Sequence, residues 1–153
     1  MTYRFTIPGP AVPQGRPRIT TVNGYPRAFD PPKSKAYKEF VRHCVMEQWR
    51  DRLKKCASNL QNILLFGPIS VVITEYREVP KAWSKKKRRM AIEGKLLPTK
   101  KADIDNVAKA ILDAVKGQVW VDDAQVVDLA ASKRYSDNPR VELEVTELEC
   151  EAG

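Results

Sequence analysis

Residues 98 to 125 constrain this chain more than any other part of it. Pro98-Thr99-Lys100-Lys101-Ala102-Asp103-Ile104-Asp105-Asn106-Val107-Ala108-Lys109 leads into an apolar repeat, and Trp120-Val121-Asp122-Asp123-Ala124-Gln125 follows it. Val107, Ala108, Ile111, Leu112, Ala114 and Val115 recur at helical spacing, with Asp105 or Asn106 as the expected cap and Gly117 as the stop. A short helix between two acidic pairs lets the chain fold back and bring them close. Four neighbouring carboxylates repel one another, so a positive partner is required, and a hard divalent cation suits oxygen donors.

The acidic stretch sits in a basic protein. Net charge is +8 and the sequence pI is about 9.5, which favours a polyanionic partner, nucleic acid first and an anionic membrane surface second. The basic residues crowd into 16 to 38 and 81 to 101, whereas Glu142, Glu144, Glu147, Glu149 and Glu151 form an acidic run. The hydrophobic fraction of 42% excludes general disorder. No apolar run approaches the roughly 18 residues that span a bilayer. Cys44, Cys56 and Cys150 form no CxxC pair and no signal-peptide core is visible, so a cytoplasmic home is expected.

The remaining elements read as one domain covering residues 1 to 153. Residues 3 to 7 alternate as a strand, and a Pro- and Gly-rich loop is expected from 8 to 32. Tyr37, Phe40, Val41, Cys44, Val45 and Trp49 predict an amphipathic helix over 34 to 56, with Ser34 as its cap. A connection over 57 to 67 precedes a β-branched strand over 69 to 77. Ser84 caps a short basic helix, and strands follow over 125 to 135 and 141 to 145. The order β-α-β-(α)-α-β-β predicts an α+β domain with a mixed sheet.

Several chemistries are excluded. There is no GxxxxGK[ST] phosphate loop, and an EF-hand fails because Val107 stands where a ligand is needed. His43, the single histidine, reads as a surface residue on the long helix. No lysine follows Asp103 or Asp105 by two residues, which disfavours the common restriction-type pattern. Side chains two apart in an extended entry share a side, so Asp103 and Asp105 can face one ligand. Asp113 lies two turns after Asp105 on a similar helix face. Lys109, one turn after Asp105, either stabilises charge on a phosphate or forms a surface ion pair. The competing reading of Asp103-Ile104-Asp105 is helix capping.

The run Asp103-Ile104-Asp105-Asn106-Val107-Ala108-Lys109-Ala110-Ile111-Leu112-Asp113-Ala114, with Trp120-Val121-Asp122-Asp123-Ala124-Gln125-Val126-Val127, resembles the RusA-type Holliday junction resolvases. Pro8-Gly9, Gln14-Gly15-Arg16-Pro17-Arg18 and Lys133 fit the same order of elements. The resemblance implies Mg²⁺-dependent homodimeric endonucleases, often of phage or prophage origin, that cut opposed strands of a four-way junction. Mn²⁺ is an expected substitute. By that resemblance Asp103, Asp105 and Asp123 are the metal-binding carboxylates and Lys109 the catalytic lysine. Asn106, Asp113 and Asp122 would support them. Ala102 departs from the proline of many relatives. Gln14, Arg16, Arg18, Lys85, Lys86, Lys87, Arg88, Arg89, Lys100, Lys101 and Lys133 are the expected DNA contacts. The dimer would use the apolar parts of the strands over 69 to 76 or 125 to 135. Rival functions are a non-catalytic DNA-binding protein, a nuclease for forks and flaps, and an enzyme acting on nucleotide diphosphates through Asp-x-Asp.

Overall fold

The computed structural model describes residues 1–16, 18–55 and 64–151. Six strands and three helices follow one another as β1 (Thr2–Pro8), β2 (Arg18–Val22), β3 (Tyr25–Phe29), α1 (Pro32–Lys55), β4 (Ile69–Glu78), α2 (Lys85–Ile92), α3 (Ile104–Val115), β5 (Val126–Ser136) and β6 (Arg140–Glu147). Four strands form a sheet in the order β1-β6-β4-β5, in which β4 and β5 run parallel and the other pairs antiparallel. This is the α+β fold with a mixed sheet. The expected connection over 57 to 67 lies mostly outside the described residues.

One face of the sheet is apolar because alternate residues point the same way. Phe5 and Ile7 of β1, Val71 and Ile73 of β4, and Val141, Leu143 and Val145 of β6 all face inward. Tyr37, Val41, Val45 and Trp49 of α1 cover them, beside Ala108, Ile111, Ala114 and Val115 of α3. Burial of the α3 stripe therefore fixes that helix's rotation about its axis, and with it the outward direction of Asp105 and Lys109. Gly117 ends the α3 turn at a φ of +82°, which a side chain rarely adopts, and its N–H donates to the Trp120 carbonyl at 2.7 Å.

Three local expectations are corrected. The loop over 8 to 32 contains a hairpin, β2 paired with β3, turning at Asn23-Gly24 with φ of 52° and 81°. Two successive positive φ values make the mirror-type turn that suits strand twist, and Asn-Gly is its preferred sequence. Ser34 is not a cap: α1 starts two residues earlier, at Pro32, and Ser34 is buried inside it. Its hydroxyl accepts from the Gly15 N–H at 2.8 Å and reaches the Pro13 carbonyl at 3.3 Å. Gly15 must lack a side chain here, since a Cβ would meet Pro31 Cγ at 2.8 Å. Finally, Asp103, rather than Asp105 or Asn106, is the cap of α3.

Position in the sheet also bears on assembly. β4 is hydrogen-bonded on both sides, by β6 and β5, so its edge is unavailable to a second chain. β5 is the outer strand, with Val127 and Leu129 exposed. Among the described residues no helix is long and apolar enough to cross a membrane.

Candidate active site

The site forms where α3 crosses the outer part of the sheet. Asp103 has extended backbone (φ −70°, ψ 139°), and its carbonyl starts the helix by accepting from Asn106 and Val107 at 3.1 and 3.2 Å. Its carboxylate makes no capping hydrogen bond, so the competing capping role does not occupy it. Asp105, Lys109 and Asp113 follow at four-residue spacing and form one stripe on α3. Asp105 and Lys109 are exposed and Asp113 half-buried. Ile104, Asp105, Ala108, Lys109, Leu112 and Asp113 line one wall of a groove of about 490 Å³, and Asp123, Leu129 and Ala131 complete it. The fold-back thus brings Asp123 to the same groove as Asp105.

Asp122 and Asp123 have different surroundings. Residues Asp123–Gln125 form one tight helical turn. Gln125 Oε1 accepts from the Val121 and Asp122 N–H groups at 2.8 and 2.9 Å, and its amide donates to the Leu65 and Gly67 carbonyls. Asp122 is held by the Ala124 N–H, which lowers its pKa most, and by Lys116 at 3.4 Å. It therefore belongs to the turn. Asp123 Oδ1 accepts from Trp120 Nε1 at 2.9 Å, and Trp120 is fully buried. A rigid indole in the core thereby orients Asp123.

A charged brace supports α3 at Asp113. Lys38 is buried and bonds Asp30 at 2.8 Å and Asp113 at 3.4 Å. The hydrogen bond from Lys38 lowers the Asp30 pKa, with smaller contributions from Gln14 and Lys109, against an opposing effect of burial. Gln14 turns inward: its amide donates to Asp30 at 3.1 Å and its N–H to the Asn106 carbonyl at 3.0 Å. Asp30 and Lys38 were missed as site residues. Their eight-residue separation straddles the hairpin exit and the first turns of α1, so spacing gave no signal.

The expected DNA contacts divide. Arg16, Lys85, Lys86, Lys87, Arg89, Lys100 and Lys101 are exposed. Arg18 lies on β2. Ser84 caps α2 by accepting from the Lys87 N–H at 3.3 Å. Trp83 packs edge-on against Tyr135 of β5 and carries Lys87 4.1 Å above its ring. Arg88 is half-buried, 3.8 Å from Asp137. Lys133 points at the Lys100 and Ala102 carbonyls, 3.3 and 3.5 Å away. It reaches the loop before Asp103 rather than open solvent.

Among the described residues, no three His, Cys, Asp or Glu side chains stand close enough to share a metal ion. The donors nonetheless suit a hard cation in kind: all are carboxylates, Asp103 is free of a cap bond, and Asp105 and Asp123 share a groove.

The family model described as "Endodeoxyribonuclease RusA" matches residues 8–146. The chain belongs to the RusA endodeoxyribonuclease family. RusA-family proteins are nucleases acting on branched DNA junctions. The chain is also 41% identical over 147 residues to "Uncharacterized protein YqaN" of Bacillus subtilis (strain 168), covering 95% of this chain and 96% of that protein. The RusA match contains the whole acidic stretch, the basic helix α2 and the hairpin.

Proposed function

We propose that this RusA-family chain is a metal-dependent, structure-selective endonuclease that resolves Holliday junctions by paired cuts, in DNA recombination and repair. The observation that carries the reading is the groove shared by Asp105, Lys109 and Asp123, in a protein whose cations lie on the neighbouring α2 and on the loop before Asp103. Asp103, Asp105 and Asp123 would hold Mg²⁺, or Mn²⁺ in its place. Bound there, the ion supplies Lewis-acid polarisation of a phosphate and a more acidic water.

The chain's own residues do the rest. Lys109, one helical turn from Asp105 on the same groove wall, steadies negative charge on the phosphate oxygens as one P–O bond forms to water and another breaks. Asp113 holds α3 through Lys38, Asn106 ties the helix to Gln14, and Asp122 fixes the turn that carries Asp123. Arg16, Lys85, Lys86, Lys87, Arg89, Lys100 and Lys101 bind the backbone and set the approach of the strand. A homodimer follows from the substrate: two matched incisions in a two-fold junction require two sites related by a two-fold axis. The outer strand β5, with Val127 and Leu129 exposed, is the candidate dimer surface.

The test uses the wild-type protein, Mg²⁺ and end-labelled four-way junction, fork, flap and linear duplex of matched sequence. Opposed, symmetric nicks in the junction, well ahead of the other substrates, are expected. Preferential cutting of forks or flaps, or binding without scission, would replace this reading with one of its rivals.

A further inference from the structure

The site depends on a loop, residues 100 to 102, that no regular element holds. Lys133 of β5 reaches two of its carbonyls, and Arg77 holds all three more closely. Arg77, near the end of β4, donates through Nη1 to the Lys100 and Lys101 carbonyls at 2.7 and 2.8 Å, and through Nη2 to the Ala102 carbonyl at 2.6 Å. The same guanidinium donates through Nε and Nη2 to the two Glu75 oxygens, at 2.9 and 3.3 Å. All five N–H donors of an arginine are thereby engaged, three on successive carbonyls and two on one carboxylate. Glu75 is 4% exposed, and it shares a sheet face with Arg77 because the two are two residues apart on a strand.

The next residue after the clamped carbonyls is Asp103, and Asp105 follows two residues later. We propose that Arg77, oriented by Glu75, is a positioning residue for the cutting centre: it fixes the backbone from Lys100 to Ala102 and so sets where the Asp103 and Asp105 carboxylates leave the loop. This rests on the metal-dependent reading above. The paired carboxylate offsets the guanidinium's charge, so the device acts by geometry and adds little field at the cation. Lysine cannot replace arginine here, because three donors on one nitrogen cannot serve a planar fork and three carbonyls together.

The experiment compares wild type, Arg77→Gln, Arg77→Lys and the double variant Glu75→Gln/Arg77→Gln. The double variant removes the buried carboxylate that the single ones leave unpaired, so folding is not the limiting concern. Near-ultraviolet circular dichroism checks the fold. Direct Mn²⁺ binding, the Mn²⁺ dependence of junction cleavage, junction binding in EDTA, and amide exchange of residues 103 to 107 are then measured. Loss of an outer partner of a metal site typically weakens metal affinity about 10- to 100-fold. The folded variants, Arg77→Lys included, should show that loss, faster exchange at 103 to 107 and unchanged junction binding, with cleavage recovering at high Mn²⁺. Unchanged Mn²⁺ affinity and exchange would overturn the proposal, as would an equal fall in junction binding and cleavage with no shift in metal dependence. A wild-type protein that neither binds Mn²⁺ nor cuts would instead overturn the functional reading beneath it, and this proposal with it.

Discussion

Asp30 shows how a single carboxylate can matter without facing the groove. Its oxygens receive Lys38 and Gln14, and through Lys38 it is joined to Asp113 on α3. Its pKa lies below the ordinary value because the Lys38 hydrogen bond favours the charged form. A depressed folded pKa contributes stability that is present above the unfolded value, about 3.9, and is lost as pH falls through the folded value. Asp30→Asn should therefore lower the melting temperature at pH 7, and the gap from wild type should close below about pH 4. Thermal melts at several pH values check this; a gap that persists unchanged into acid would contradict the role assigned to the ion pair. Asp103, Asp105, Lys109 and Asp123 were legible as candidates through the resemblance of their motif, since their local spacing alone left helix capping and a surface ion pair open. Asp30, Lys38, Glu75 and Arg77 were not. Their partners are supplied by chain segments far away in sequence, and a lone charge gives no sign of what it will meet.

At the scale of elements, strong periodicity made α1, α3, β4 and β6 readable, since each buries one face. The β2–β3 hairpin was missed for the opposite reason. All of β3 is exposed, and both strands lack the apolar alternation that marks a buried strand, so only the Asn23-Gly24 turn announced it. The early start of α1 has a similar origin: Ser34 looks like a cap by residue type, but its hydroxyl serves Gly15 and Pro13 across the loop. α2 is legible in composition and gains its meaning from docking, with Ala91 buried and Lys85, Lys86 and Arg89 exposed. Replacing those three cations by alanine keeps helix propensity and removes only charge. Junction affinity should fall, and the slope of log affinity against log salt should become shallower by about one per charge removed. Binding titrations across salt concentrations decide it; an unchanged slope would place α2 away from the DNA.

The whole molecule separates its charges. The acidic β6 strand is largely paired within the sheet, Glu142 with Arg140 at 2.9 Å and Glu144 with Arg4 at 3.2 Å. α2, the loop before Asp103 and Arg16 carry exposed cations in a chain that also holds a carboxylate groove. A polyanion is drawn to such a surface, and a divalent ion lets the carboxylates approach a phosphate that they would otherwise repel. The most direct measurement of this account is made with Asp103→Asn, a change of charge with almost no change of shape, on a labelled four-way junction in Mg²⁺. Cleavage should be abolished while junction binding survives at or above the wild-type level. A variant that cuts the junction as the wild type does would show that the carboxylates gathered at the start of α3 are not the cutting centre.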